Sequence, residues 1–314
     1  MAEKLSKHYS VREADLEADR HHILRMWTMI SSSAKPDSQK LDLFYIQNPA
    51  GPGVMYMLWH EPSDSAVGIT CAGRRDILVG GSIVKGAVCG DLIIDPAHRS
   101  LGSSLLLQRF VMKRSLEQFD LFYAFPNERG AKAIMRGVTA LESALIKMVL
   151  PLRASRYLLR YMPKALASIL SAPAQFAMDL VLRVRVPRAR SGYREEAVDD
   201  AFLDTLWDTV ASGESSIGVR DATFLRWRLN QDPAAGASFF GTADADGAPA
   251  GYIAYALKDY STVKILDVLA LDESVFETMI VLFIRSMSKR RIESISIRQC
   301  IDLPTRCEFL KSLG

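Results

Sequence analysis

The chain has 314 residues, 49% of them hydrophobic, and a formal net charge of +3. That length leaves room for two ordinary domains with real cores. So small a net charge does not argue for a nucleic-acid partner, and no apolar run reaches the roughly 18 residues that a membrane-spanning helix needs.

In chain order, Tyr9-Ser-Val-Arg-Glu13 reads as a first strand and Ile23 to Ile30 as a helical stretch. Strands follow near Val54–Trp59, Ala66–Ala72 and Ser82–Val88. The apolar run Leu92 to Ile94 reads as a buried strand, terminated by Asp95 and Pro96. After it, Gly102, Ser103 and Ser104 form a small-residue turn into a helix with apolar Leu105, Leu106 and Phe110. Strand, small-residue turn and helix start make an anion cradle. Unpaired N–H groups converge there, and the helix dipole adds about half a positive charge. The stretch contains neither the G-x-G-x-x-G of a dinucleotide fold nor the Gly-Lys-Ser/Thr of a P-loop. Leu121 to Phe125 is a further apolar strand, and Pro126-Asn127 opens a helix that runs to Arg136-Gly137.

Residues 146–194 carry ten Lys/Arg against one acid, Asp179. Leu152, Tyr157, Leu158, Tyr161, Leu166, Ile169 and Leu170 recur at helical spacing, with Arg153, Arg156, Arg160 and Lys164 among them. Pro163 and Pro173 are expected to divide the stretch into short helices, and Leu180 to Pro187 alternates like a strand rejoining a sheet. One reading is a helical connector packed on both domains; the other is a basic amphipathic surface for an anionic membrane. The charges lie in no nucleic-acid module, so no nucleic-acid partner is expected.

The chain also repeats itself. Phe44 to Gly51 and Trp227 to Gly236 each begin with an aromatic and pass through an Asn- or Asp-Pro turn to Ala and Gly. A strand, a hairpin turn and a Gly opening the next strand follow in both copies. Pro49 to Gly68 is 19 residues and Pro233 to Gly251 is 18, so the match keeps its register. In the second copy the strand Val263–Ala270 is followed by Leu271-Asp-Glu-Ser-Val-Phe276, which puts carboxylates where an anion would sit. Phe309 to Gly314 looks like the close of a helix matched by Ala133 to Gly137.

Arg99-x-x-Gly102-x-Ser104 after a hydrophobic strand resembles the pyrophosphate loop of the GNAT superfamily of acyl-CoA-dependent N-acyltransferases. That loop is usually written Arg/Gln-x-x-Gly-x-Gly/Ala, and Ser104 is a mild departure. The resemblance covers residues 8–140, where the element order β-α-β-β-β-α-β-α is also that of the superfamily. It implies an α/β fold of two GNAT-like mixed-sheet domains in tandem: a catalytic domain over 1–140, a basic helical connector over 141–190 and a degenerate second domain over 191–314. The superfamily has further strands after its last helix, so these come from elsewhere in the chain or the sequence is cut short. Arg220 to Arg228 resembles a phrase of tandem GNAT-like proteins associated with bacterial polysaccharide assembly.

What the resemblance implies is acyl transfer from acetyl-CoA or a longer acyl-CoA, with no metal, to an amine. The acceptor is an amino sugar or a long-chain lipid amine; the alternative is a non-catalytic binding or scaffold protein. Backbone N–H groups of Arg99, Ser100, Leu101, Gly102, Ser103 and Ser104 would hold the pyrophosphate. The strand Leu92–Ile94 would pair with the pantetheine arm, an N–H near Ile93 or Ile94 would polarise the thioester, and Asn127 would open the flanking helix. Asp91 and Glu128 are the candidate bases, and His98 is either a third or simply exposed. The superfamily's acid Tyr is replaced here by Ile134, which leaves Tyr123 as the substitute. Cys89 reads as buried rather than nucleophilic. Cys71, Cys89, Cys300 and Cys307 lack zinc-site spacing, and the amino terminus has no signal-peptide core. A cytoplasmic protein is expected, with a peripheral position on the inner membrane face as the variant of that reading.

Overall fold

The structure, a computed structural model, describes residues 3–4, 8–29, 38–99, 101–126, 144–154, 158–159, 161–213, 216–229, 236–258, 261–300 and 303–313. The chain divides into two units, 1–141 with 211–231 and 142–210 with 232–314.

Unit 1 begins with β1 (Glu3–Lys4), β2 (Tyr9–Glu13), α1 (Arg20–Thr28), the short α2 (Ser38–Lys40) and a π-helix (Leu41–Ile46). It continues through β3 (Val54–His60), β4 (Ser65–Val79), β5 (Ser82–Ile94), α3 (Leu101–Gln118) and β6 (Leu121–Ala124). Its sheet runs β1-β2-β3-β4-β5-β6. All pairs are antiparallel except β5 with β6, which α3 joins by a crossover. β3 is apolar without alternation because both its faces are covered. Val54, Tyr56 and Leu58 pack with Leu107, Phe110 and Val111 of α3. Met55 and Met57 pack with Ile23, Met26 and Trp27 of α1 on the other side. Each such buried side chain contributes about 1.5–3 kcal/mol.

Unit 2 takes β7 (Leu145–Pro151), α4 (Lys164–Arg185), β8 (Arg194–Glu196) and α5 (Asp200–Ala211). The chain then returns to unit 1 for β9 (Ser216–Gly218) and α6 (Ala222–Leu229). Unit 2 closes with β10 (Ser238–Ala243), β11 (Pro249–Lys258), β12 (Thr262–Ala270), α7 (Glu273–Lys289), β13 (Ser294–Cys300) and α8 (Pro304–Leu313). Its sheet order is β7-β13-β12-β11-β10-β8, with β12 and β13 parallel. Val275, Phe276, Met279, Ile280, Phe283, Ile284 and Met287 of α7 recur at helical spacing and fill the core beneath it.

The two sheets share the repeat. Gly68 on β4 pairs with Ile94 at the end of β5, and Gly251 on β11 pairs with Ala270 at the end of β12. Both glycines answer to crowding. A Cβ on Gly68 would lie 3.3 Å from the Ile93 carbonyl oxygen, and one on Gly251 would lie 2.8 Å from that of Leu269.

Several expectations are corrected. Residues 180–187 form no strand: α4 runs to Arg185, because Leu182 and Val186, four residues apart, turn onto the unit 2 core. Pro173 lies inside that helix rather than dividing it. The lost N–H would have met the carbonyl of Ile169, an exposed residue, so the gap in the helical ladder faces solvent. The division after 141 matches the expected boundary at 140 within a residue, while 142–210 groups with the second unit and 211–231 with the first. β7 pairs with β13 over seven residue pairs, so a strand that precedes α4 in the chain joins the unit 2 sheet. β9 pairs with β4 and carries 211–231 into unit 1. Ser82–Val88 and Leu92–Ile94 form one strand, and Leu92 is exposed while Ile93 and Ile94 are buried.

Candidate functional site

β5 and β6 pair only from Gly86 with Leu121 to Cys89 with Ala124. β5 then continues to Ile94, so Gly90–Ile94 has an edge that no described strand covers. Asp95 N–H donates to the Val67 carbonyl of β4 at 2.8 Å. Successive N–H groups of a strand point to opposite edges, so Ile94 rather than Ile93 turns its N–H to the open one. Arg99 Nη2 donates to the Ile94 carbonyl at 3.1 Å, which sets the guanidinium at the same edge.

The turn after β5 is built from local bonds. The Asp95 carboxylate accepts from Ala97 N–H at 2.9 Å and Pro96–His98 makes one 3-10 turn. Ser103 is buried, and its hydroxyl donates to the His98 carbonyl at 2.7 Å. Gly102 is exposed and Ser104 half-buried, and the first turn of α3 contains no acid. Among the described residues, that helix start offers N–H groups with no carboxylate in its first turn to compete for them. Inward-facing contacts of α3 come from Leu107, Phe110 and Val111, with Leu106 at the margin, rather than from Leu105.

Asp91 sits on a bulge. Cys71 pairs with Gly90 and Ile69 with Ile93, so Asp91 and Leu92 together oppose Thr70. Its φ is +51°, a left-handed conformation that costs a non-glycine residue about 1–3 kcal/mol. The carboxylate offsets this by accepting from Lys40 Nζ at 2.6 and 2.7 Å and from the Tyr45 hydroxyl at 2.7 Å. Lys40 also lies 4.6 Å from the centroid of the Trp27 ring. The side chain of Asp91 thus joins the α1 side of the sheet, opposite α3. Burial pushes the Tyr45 phenol and the Cys71 thiol well above their ordinary values, so both stay neutral beside the carboxylate.

The other sequence candidates lie elsewhere. The His98 ring faces the β2–β3 end, with Nδ1 3.0 Å from the Tyr9 hydroxyl and its centroid 4.6 Å from that of His60. Tyr123 pairs with Val88, one residue before β5 and β6 part. Burial raises its phenol, opposed by Arg75, Arg220 and Arg228, which keeps it a proton donor rather than an anion. Burial likewise raises the Cys89 thiol, and its sulfur lies 3.8 Å from the Thr70 hydroxyl. Ser100, Asn127, Glu128 and Ile134 lie outside the described residues, as does the side chain of Leu101. The sequence did not single out Lys40, Tyr45 or Trp27. Aromatic residues were visible there, but nothing local links position 40 to position 91.

Unit 2 has the same strand parting without the cradle. β12 pairs with β13 only from Thr262 to Lys264. At the start of α7 the Asp272 carboxylate accepts from Val275 N–H at 2.8 Å, and Glu273 is ion-paired with Arg306 at 2.9 Å. Carboxylates fill the place of an anionic ligand there.

No family model and no curated protein matches the sequence. Solved structures do match in fold. A conserved protein of unknown function from Enterococcus faecalis V583, described as a probable N-acyltransferase, aligns with 93% of this chain and 65% of its own, at 13% identity and a TM-score of 0.64. A GCN5-related N-acetyltransferase from Anabaena variabilis gives 93%, 66%, 12% and 0.60 in the same order. The chain therefore spans just under two thirds of the length of these two. Saccharomyces cerevisiae N-myristoyltransferase with bound myristoyl-CoA aligns over all of this chain and 81% of its own, at 10% identity and a TM-score of 0.51. Together with the parted strands and the duplicated strand order, these likenesses give the chain the fold of the GNAT superfamily of acyltransferases, in tandem.

Proposed function

We propose that the chain transfers an acyl group from acyl-coenzyme A to an amine, with the donor held in unit 1. The open edge Gly90–Ile94 leading into an acid-free helix start carries this reading. In it, N–H groups from Arg99 to Ser104 hold the pyrophosphate and the open edge pairs with the pantetheine arm. The amine nitrogen attacks the thioester carbonyl, whose developing oxyanion accepts from Ile94 N–H. Asp91, on the face opposite α3, takes the proton of the attacking amine. The intermediate collapses with loss of the thiolate, for which Tyr123 is the nearby proton donor. Calorimetric titration with acetyl-CoA and with palmitoyl-CoA tests the reading. Micromolar binding of either supports it, and binding of neither refutes it.

A long-chain lipid amine is favoured over an amino sugar as acceptor by the surface of α4. Leu166, Ile169, Phe176, Leu180 and Val184 all project into solvent on one arc, with Arg183 beside it and Arg185 in the same last turn. Among the described residues no helix is long and apolar enough to cross a membrane. A helix of this kind lies in the interface of an anionic bilayer, its apolar arc in the acyl region and its arginines at the headgroups. Flotation with anionic vesicles should carry the protein and lose the Phe176→Glu variant. Failure of the wild type to float removes the lipid preference and leaves the amino sugar.

A further inference from the structure

Three unusual features meet at Asp91. It is a non-glycine residue with φ +51° on a strand bulge. Its partner Tyr45 lies in the π-helix and Lys40 is the residue that caps its start, and Gln47 N–H at its end reaches back five residues to the Asp42 carbonyl. A wider turn of that kind brings residues five apart onto one side, which lets both side chains reach the same carboxylate. Lastly, the buried Trp27 Nε1–H has no acceptor among the described residues, and Lys40 lies over that ring. A surface ion pair requires none of this. Strained backbone, a π-helix and an orphaned donor at one place mark a functional arrangement.

The group so held is a primary amine. Lys40 Nζ lies 2.6 Å from a carboxylate oxygen borne by the uncovered stretch Gly90–Ile94. This is the stretch against which, on the function proposed above, the acyl donor's arm lies. Lys40 approaches from the α1 side, opposite the helix whose start receives the pyrophosphate. It therefore occupies the place that an acceptor ammonium must take against Asp91.

We infer that Lys40 is itself an acyl acceptor, acylated in cis on its ε-nitrogen by the donor bound in unit 1. Lys40 passes a proton to Asp91 as its nitrogen bonds to the acyl carbon. The carbon–sulfur bond breaks, and the departing coenzyme A thiolate takes, by way of water, the second proton that the nitrogen loses as the amide forms. Asp91 returns its proton to solvent, and the products are Nε-acyl-Lys40 and free coenzyme A. The amide carries no charge, so the ion pair to Asp91 and the attraction to the Trp27 ring are lost. Acylation thereby vacates the carboxylate for an external amine.

The inference rests on the proposed donor site, and one sample tests the two separately. The full chain is titrated calorimetrically with acetyl-CoA, then incubated with it and mapped by peptide mass. Binding with one acetyl group on Lys40, gained about 100-fold faster than in the denatured chain, is the expected result. Asp91→Asn should lose that acceleration, and Lys40→Arg should bind acetyl-CoA yet gain no acetyl group at position 40. Binding with Lys40 unmodified, or modified no faster than in the denatured chain, overturns the inference and leaves the donor site standing. Absence of binding overturns both.

Discussion

Asp91 and Asp267 hold equivalent places in the two units, each three residues before the strand end that pairs with the glycine of the repeat. Each carboxylate accepts from a tyrosine hydroxyl, Tyr45 at 2.7 Å and Tyr252 at 2.6 Å. Each lies by a bulge, between Ile69 and Cys71 in unit 1 and between Ala254 and Tyr255 in unit 2. The units then part. Unit 1 adds a lysine to its aspartate and follows the strand with an acid-free glycine-serine turn; unit 2 follows it with Asp272 and Glu273. The lesson is one of separate requirements. Strand order and parting depend on apolar burial, which both units keep, whereas the anion cradle depends on a few backbone N–H groups left without a competing carboxylate.

The largest effect should come from making the two turns alike. On the proposed donor site, Gly102→Glu puts a carboxylate against the pyrophosphate, and such like-charge contact costs several kcal/mol. A loss of about 2.7 kcal/mol, or about 100-fold in acetyl-CoA affinity, is expected by calorimetry with unchanged circular dichroism. Unchanged affinity would mean that the cradle is not the donor site and that the two turns do not differ in function.

A smaller effect separates the two tyrosines. Removing a hydroxyl that donates to a carboxylate costs about 1.5–3 kcal/mol, so Tyr45→Phe and Tyr252→Phe should each lower stability in urea at neutral pH. The pH dependence at Tyr45 sharpens the comparison. The Tyr45 phenol is held well above its ordinary 10.0, so the stability it lends is complete below pH 10 and declines as pH rises toward its folded value. The Tyr45→Phe variant lacks that decline, and its deficit should narrow above pH 10. A deficit that stays constant would show that Tyr45 is not sheltered from water.

Much of unit 1 was legible because its signals are local. The unbroken run Val54–Leu58 says that both faces of β3 are covered, and the proposed anion site after β5 draws on residues contiguous in sequence. Asp91 was found as a carboxylate at the strand head, but its partners were not. Lys40 and Asp91 are 51 positions apart, and a π-helix has no apolar period of its own to read. Leu180 to Val186 misled because Val-Leu-Arg-Val-Arg-Val satisfies both an alternating strand and a helix with Leu182 and Val186 four apart. The swap of β7 and β9 between units was likewise invisible, since it is a matter of which distant strand offers an edge.

The mildest test runs in the opposite direction, removing an acid from unit 2. Asp272 caps α7 by accepting from Val275 N–H, and Asp272→Ala should cost about 1 kcal/mol. In a unit of this size that is a shift of roughly 2–4 °C in Tm. It should not create a second donor site. Glu273 remains in the first turn, paired with Arg306, and Leu271 to Ser274 has no glycine to let phosphates approach the backbone. Calorimetry should therefore still find one acetyl-CoA per chain. A stoichiometry of two would mean that one carboxylate had been all that silenced the second unit. The parted strands β12 and β13 would then be a donor groove held in reserve rather than an inheritance of the fold.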